Sequence, residues 1–152
     1  MFQHAPPDYD CPLCAIVAGR NAALPYAQQS DVVLRAGGAT AFISSRWWPN
    51  NAGHVIVIPD THVENLYDLT AELAVPIHEA ARRVAIAMKH VYGCAGTSTR
   101  QHNEPAGNQD VWHYHLHVYP RYEGDRLYEL QGHLTSPEER APYAARLRDH
   151  LR

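Results

Sequence analysis

The segment His113-Tyr114-His115-Leu116-His117-Val118 constrains this chain more than any other part of it. Imidazoles alternate there with bulky side chains. The two-residue period of a β-strand puts His113, His115 and His117 on one face and Tyr114, Leu116 and Val118 on the other. Residues 111–119 therefore read as a strand whose apolar face needs cover. A run of histidines on a half-exposed strand, or a metal site of three imidazoles, would carry the same pattern. Phosphoryl chemistry uses it more fully. A neutral imidazole titrates near neutrality, attacks phosphorus in line and leaves readily from the phosphoramidate, and a protonated neighbour can donate to the departing group.

The rest of the chain supplies a sheet for that strand. Residues 31–35, 40–45 and 54–59 are short β-rich runs separated by Gly37-Gly38 and Pro49-Asn50-Asn51, a pattern that reads as a three-stranded meander. From Thr70, a candidate N-cap, to Tyr92, the residues Leu73, Ile77, Ala81, Val84, Ala85, Met88 and Val91 recur at helical spacing, and Gly93 can end the run. Pro76 costs this helix little if it falls within the first turns. A strand over 97–101 and a polar loop over 103–109 lead into the histidine strand. Ser136, Pro137 and Glu139 form a capping-box signature for a helix in the tail, and the first thirty residues read as a short knuckle or helix. The expected fold is α+β in one domain: an antiparallel sheet of about five strands, one long helix and short terminal helices.

A formal charge of −3 and a pI near 6.4 offer no broad basic surface. Binding of nucleic acid by phosphate neutralisation is therefore not expected, and any phosphate must be met locally. The opening MFQHAPPDYD has neither a positive n-region nor an apolar h-region, and no run approaches a membrane span. The expectation is a cytoplasmic protein without a membrane partner. The pair in Cys11-Pro12-Leu13-Cys14 fits metal-bound thiolates in a reducing compartment better than a disulfide framework. Such a pair also serves redox chemistry, but no thioredoxin-like pattern follows it. Cys94 reads as a small buried residue.

The stretch from Asn103 through Gln109-Asp110-Val111-Trp112-His113-Tyr114-His115-Leu116-His117-Val118-Tyr119 resembles the signature of the histidine triad (HIT) family. The resemblance extends upstream through Gly53-His54-Val55-Ile56-Val57-Ile58-Pro59 to His62, and with Cys11 and Cys14 it covers about 11–121. Residues 122–152 then form a C-terminal extension. The resemblance implies a nucleotide hydrolase or transferase working through a nucleotidyl-histidine intermediate on His115. It implies further that His117 contacts the phosphate and the bridging atom, that His54 completes the imidazole cluster, and that Gln109 and Asn103 lie beside the α-phosphate. For the metal it implies a structural zinc held by Cys11, Cys14, His62 and His113, with no open position for water. It also implies a homodimer.

Two positions depart from the family pattern. Asp110 stands where a Ser or Thr hydroxyl is common, and a carboxylate there repels phosphate unless it points away, binds a cation or recognises a cationic leaving group. Arg46 holds the place, eight residues before His54, of an Asp or Asn that grips the ribose. Trp47 and Trp48 are candidates for stacking on a base, for the core or for a dimer contact. Hydrolysis of a nucleoside phosphoramidate or dinucleoside polyphosphate leads the functional readings. The uridylyltransferase and phosphorylase branches commonly carry Gln where this chain has His117. A non-catalytic nucleotide-binding module is the third reading.

Overall fold

A computed structural model describes residues 1–152. In chain order its elements are α1 (Pro12–Val17), β1 (Val32–Ala36), β2 (Ala39–Ile43), β3 (Arg46–Trp47), β4 (Val55–Pro59), α2 (Ala71–Val91), β5 (Gly96–Gln101), β6 (Leu116–Arg121), β7 (His133–Leu134) and α3 (Pro137–Leu151). Five strands form one antiparallel sheet in the order β1-β2-β4-β6-β5, which contains the expected meander. The long helix starts after Thr70 and ends at Tyr92 as its periodicity predicts, with Pro76 in its second turn. The tail helix carries the predicted capping box: Ser136 Oγ accepts from the Glu139 amide at 3.2 Å, and the Glu139 carboxylate accepts from the Ser136 amide at 2.7 Å.

The two sheet faces are covered differently, and this creates the site. Val55 and Val57 of β4 and Leu116 and Val118 of β6 point toward Ile77, Val84 and Met88 of α2, and Ala144 and Leu147 of α3 complete the same core. The opposite face presents Phe42, Ile56 and Ile58, which pack under Leu13, Ile16, Ala22 and Ala27 of the N-terminal segment. That segment is too short to cover the whole face, so a cavity remains that is lined by Phe42 of β2, Ile56 of β4, Arg100 of β5 and His117 of β6 among others.

One boundary differs from the sequence expectation. The last sheet strand begins at Leu116, not near Val111. Between these points the Tyr114 amide donates to the Val63 carbonyl at 2.7 Å, and the His113 amide to Val111 at 2.9 Å. The chain thus leaves the ladder to aim His113 at the cysteine pair. Tyr114, Leu116 and Val118 still reach the α2 core.

The extension beyond residue 121 packs onto its own chain. Leu134 pairs with Arg46 in a two-stranded ribbon of β7 with β3. Arg140 of α3 is fully buried and grips Asp31 with two bonds of 2.8 and 2.9 Å.

Candidate active site

The cavity has a volume of about 440 Å³ and is floored by the imidazole face of the sheet. His54 enters from the start of β4, where Gly53 adopts φ +79°. A Cβ at Gly53 would come within 2.5 Å of Tyr143 Cδ1 and 2.7 Å of Tyr92 Oη, so only glycine lets the chain pass here and deliver His54. His117 lies opposite Ile56 of β4 and Arg100 of β5. His115 sits just before β6, its ring centroid 5.2 Å from that of His117.

Hydrogen bonds assign the tautomers. His115 Nδ1 lies 2.7 Å from the His113 carbonyl, which can only accept, so Nδ1 carries the proton and Nε2 keeps a lone pair. Burial lowers the His115 pKa below the ordinary imidazole value, and this keeps the ring neutral. His54 Nε2 and His117 Nδ1 are 3.3 Å apart, and His54 Nδ1 is buried without a partner. An orphaned N–H costs more than an orphaned lone pair, so His54 donates from Nε2 and His117 accepts at Nδ1. His117 therefore carries its proton on Nε2, as a hydrogen-bond donor. Burial pushes the His54 pKa down to about 3, with the Arg100 charge adding to it, and lowers that of His117 well below the usual value.

Arg100, His102 and Asn108 also line the cavity, and the sequence reading did not name them. The His102 Nδ1–H donates to the Gly107 carbonyl at 2.7 Å, and this leaves its Nε2 with a lone pair. The available signal was the strand period, since antiparallel pairing of 97–101 beside the histidine strand puts Arg100 on the imidazole face. Trp48 lines the cavity with its ring against His54 and Tyr119, whereas Trp47 is buried edge-to-face on Tyr143. Asp110 is 83% exposed at the mouth, and its Oδ1 lies 3.8 Å from His115 Nε2, so its carboxylate faces that imidazole at the solvent-open edge of the cavity. Arg46 lines the rim, and its guanidinium donates to the Gly132 carbonyl at 3.2 Å.

The two amides lie elsewhere. Gln109 is buried and donates to the Glu64 and Val111 carbonyls at 2.6 and 3.0 Å while accepting from the Glu104 amide at 2.9 Å. It thereby braces Glu104 in a left-handed conformation of φ +62°, which a non-glycine residue keeps only when its surroundings enforce it. Asn103 exchanges two bonds of 2.9 Å with Gln101 and accepts from the Leu66 amide at 2.8 Å. Contact of either amide with phosphate would require these bonds to be exchanged.

Behind His115, the structure gathers Cys11, Cys14, His62 and His113, with one donor atom from each lying within 4.8 Å of all the others. His62 Nδ1 is 3.1 Å from His113 Nδ1 and 3.2 Å from Cys14 Sγ, and His113 Nδ1 is 3.4 and 3.6 Å from the two sulfurs. Tetrahedral zinc with ordinary bond lengths sets edges of roughly 3.3 to 3.8 Å, so the donor set fits such an ion. His113 Nε2–H donates to the Pro59 carbonyl at 2.9 Å and so presents its Nδ1 lone pair to the cluster, the usual outer support of a ligating imidazole.

Comparison with known proteins agrees with this geometry. The HIT domain family pattern matches residues 27–124. An uncharacterised HIT-like protein of Mycobacterium tuberculosis is 30% identical over 122 residues, covering 80% of this chain and 78% of that one. The protein named "Protein hit" of Bacillus subtilis is 42% identical over 74 residues, which is 48% of this chain and 51% of its own length. Among solved structures, a zinc-bound histidine triad family protein of Mycobacterium smegmatis superposes with a TM-score of 0.75 at 28% identity, covering 93% of each chain. A more distant relative is the asymmetrical bis(5'-nucleosyl)-tetraphosphatase of Schizosaccharomyces pombe, 29% identical over 96 residues, covering 63% of this chain and 52% of that one.

Proposed function

The chain belongs to the HIT domain family, and from that premise we propose that it hydrolyses a phosphoramidate or phosphoanhydride bond of a small nucleotide through a nucleotidyl intermediate on His115. The observation that carries this reading is the tautomer of His115, whose Nδ1–H is held by the His113 carbonyl while Nε2 keeps its lone pair beside the cavity. That lone pair forms a bond to the α-phosphorus, and the bond from phosphorus to the leaving group breaks with its electron pair going to the leaving atom. His117 Nε2–H stabilises that atom. A phosphate departs as an anion, and an amine takes a proton from water. Water then attacks the phosphorus, the P–N bond breaks and His115 Nε2 regains its lone pair. The net reaction consumes one water and releases the nucleoside monophosphate.

Cys11, Cys14, His62 and His113 would hold a structural zinc, a reading supported by the fit of the donor set and by the zinc-bound relative. Bound there, the ion would supply a rigid crosslink between the N-terminal knuckle and the segment that carries His115. Incubation of the purified protein with adenosine 5'-phosphoramidate and with diadenosine tetraphosphate, with AMP quantified and the acid-labile, alkali-stable nucleotidyl-protein sought by mass spectrometry without acid quenching, tests the function. AMP release with a mass adduct on His115 is the expected result, and absence of turnover on both substrates would overturn the proposal.

A further inference from the structure

Arg100 is a cation in the cavity wall with no carboxylate paired to it. It forms no salt bridge; the other arginine that lines the cavity, Arg46, forms none either, but its guanidinium is engaged by the Gly132 carbonyl at the rim. Its guanidinium carbon lies 5.0 Å from the Trp48 ring centroid and 4.9 Å from that of Tyr119, and Nη2 donates to the Tyr119 hydroxyl at 2.6 Å. Its Nε is buried without a partner. The two rings fix the plane and position of the guanidinium but do not neutralise it. Around it stand His54, His102 and His117, all without negative charge, and the one carboxylate that lines the cavity, Asp110, is exposed at the mouth beside His115 and forms no ion pair with Arg100.

Position along the floor gives this charge a direction. His115 just before β6 is followed by His117 and Tyr119 on the strand, and Arg100 pairs laterally with His117 while its head group reaches Tyr119. A phosphorus attacked by His115 expels its leaving group away from that ring, over His117 and toward the guanidinium. An amine leaving there gains nothing from a fixed positive charge. A phosphate chain gains a charge-assisted, fork-shaped donor set, which arginine offers to phosphate better than any other side chain.

We infer that Arg100 is a specificity-determining residue that binds the phosphate of the leaving group and so selects substrates whose scissile bond is a phosphoanhydride. This rests on the hydrolase reading above and narrows it to nucleotides carrying two or more linked phosphates. Neither the triad nor the cysteine cluster supplies such a charge, and the strand that carries Arg100 is otherwise small and polar.

The test measures kcat/KM for diadenosine tetraphosphate and for adenosine 5'-phosphoramidate in the wild type, Arg100→Met and Arg100→Lys. The ratio of the first substrate to the second is expected to fall about tenfold or more in Arg100→Met and to stay within about threefold in Arg100→Lys. Arg100→Gln takes the place of the methionine variant if the latter melts early, because it keeps a donor to Tyr119 without the charge. In parallel, calorimetry with inorganic tripolyphosphate should show binding to the wild type that is lost in the uncharged variant. An unchanged substrate ratio, or equal tripolyphosphate affinity in wild type and uncharged variant, overturns the inference. If the wild type turns over neither substrate, the hydrolase reading fails, and calorimetry alone then decides whether Arg100 seats a phosphate chain.

Discussion

One hydrogen bond joins the cysteine–histidine cluster to the imidazole proposed to react: His115 Nδ1–H donates to the main-chain oxygen of His113, whose own ring belongs to the cluster. The backbone that positions the proposed nucleophile is therefore the backbone that carries a proposed metal ligand. Loss of the metal should act on catalysis through geometry. Cys14→Ala is expected to lower metal content by elemental analysis and kcat by about tenfold to a hundredfold, the usual effect of disturbing support around a metal centre. Full metal loss with unchanged kcat would show that the cluster does not position His115.

His115→Ala removes the only atom assigned to attack phosphorus. Turnover should fall by about a thousandfold or more while nucleotide binding remains measurable, because a nucleophile contributes to the barrier far more than to ground-state affinity. Comparable turnover in this variant would contradict the mechanism, whatever its affinity.

Three cavity imidazoles are buried in neutral form, and this makes folding pH-dependent. His54 has a pKa pushed down to about 3, and burial lowers those of His115 and His117 as well. The unfolded chain binds protons near the ordinary value of about 6.5, so below that pH it holds more protons than the folded chain. Stability is thus fully present above about pH 6.5 and is lost as pH falls toward the folded values. Each such imidazole contributes a slope of about 1.4 kcal/mol per pH unit across its window. Thermal melts between pH 7.5 and 4.5 should show a falling Tm, and His54→Gln, which leaves the cysteine cluster intact, should flatten it. The acid limb of kcat/KM follows the lowered folded value of His115 and so lies below the ordinary imidazole range. A Tm independent of pH would refute the account.

The parts of this molecule that repeat with a period were legible in the sequence. The α2 stripe from Leu73 to Val91, the meander and the Ser136 capping box all announce themselves within one element, as do the two thiols of Cys11 and Cys14. The histidine pattern located the site but overextended its strand, because nothing local shows that His113 must turn toward a cysteine a hundred residues away. Arg100 and His102 escaped for a related reason. Their meaning comes from the lateral pairing of β5 with β6, which a one-strand reading does not contain. The β3–β7 ribbon is two residues wide on each side, too short for any period to appear.

Arg140 and Asp31 show how strongly the tail belongs to this domain. The pair is bidentate, each side chain is about 1% exposed, and Arg140 also donates to the Thr135 carbonyl at 2.6 Å. Removing one partner strands a buried charge. Asp31→Ala should cost about 3 to 5 kcal/mol, read as a lower denaturant midpoint. The double variant Asp31→Ala with Arg140→Met should recover part of that loss, because no charge then remains inside. A single variant within about 0.5 kcal/mol of the wild type would mean the pair is dispensable.

The last prediction is assembly as a homodimer. The strand order leaves β5 at one edge of the sheet, with β6 as its only neighbour, and an exposed edge is a template for pairing with another chain. Thr97 and Thr99 stand exposed on β5, so the strand has no bulky apolar residue to hide but also no charge pointing outward from those positions to discourage pairing. On α2, Val75 and Ile86 are exposed apolar residues of the kind an interface would cover. Two-fold pairing of identical edges would join two five-stranded sheets into one, and closed two-fold dimers are the commonest soluble oligomers. The tail gives no reason to expect exchange between copies, since Leu134 lines the cavity of its own chain. Light scattering at micromolar concentration should report about twice the chain mass of 17.1 kDa. A monomer at that concentration would overturn the assembly and would require β5 to stay open in solution.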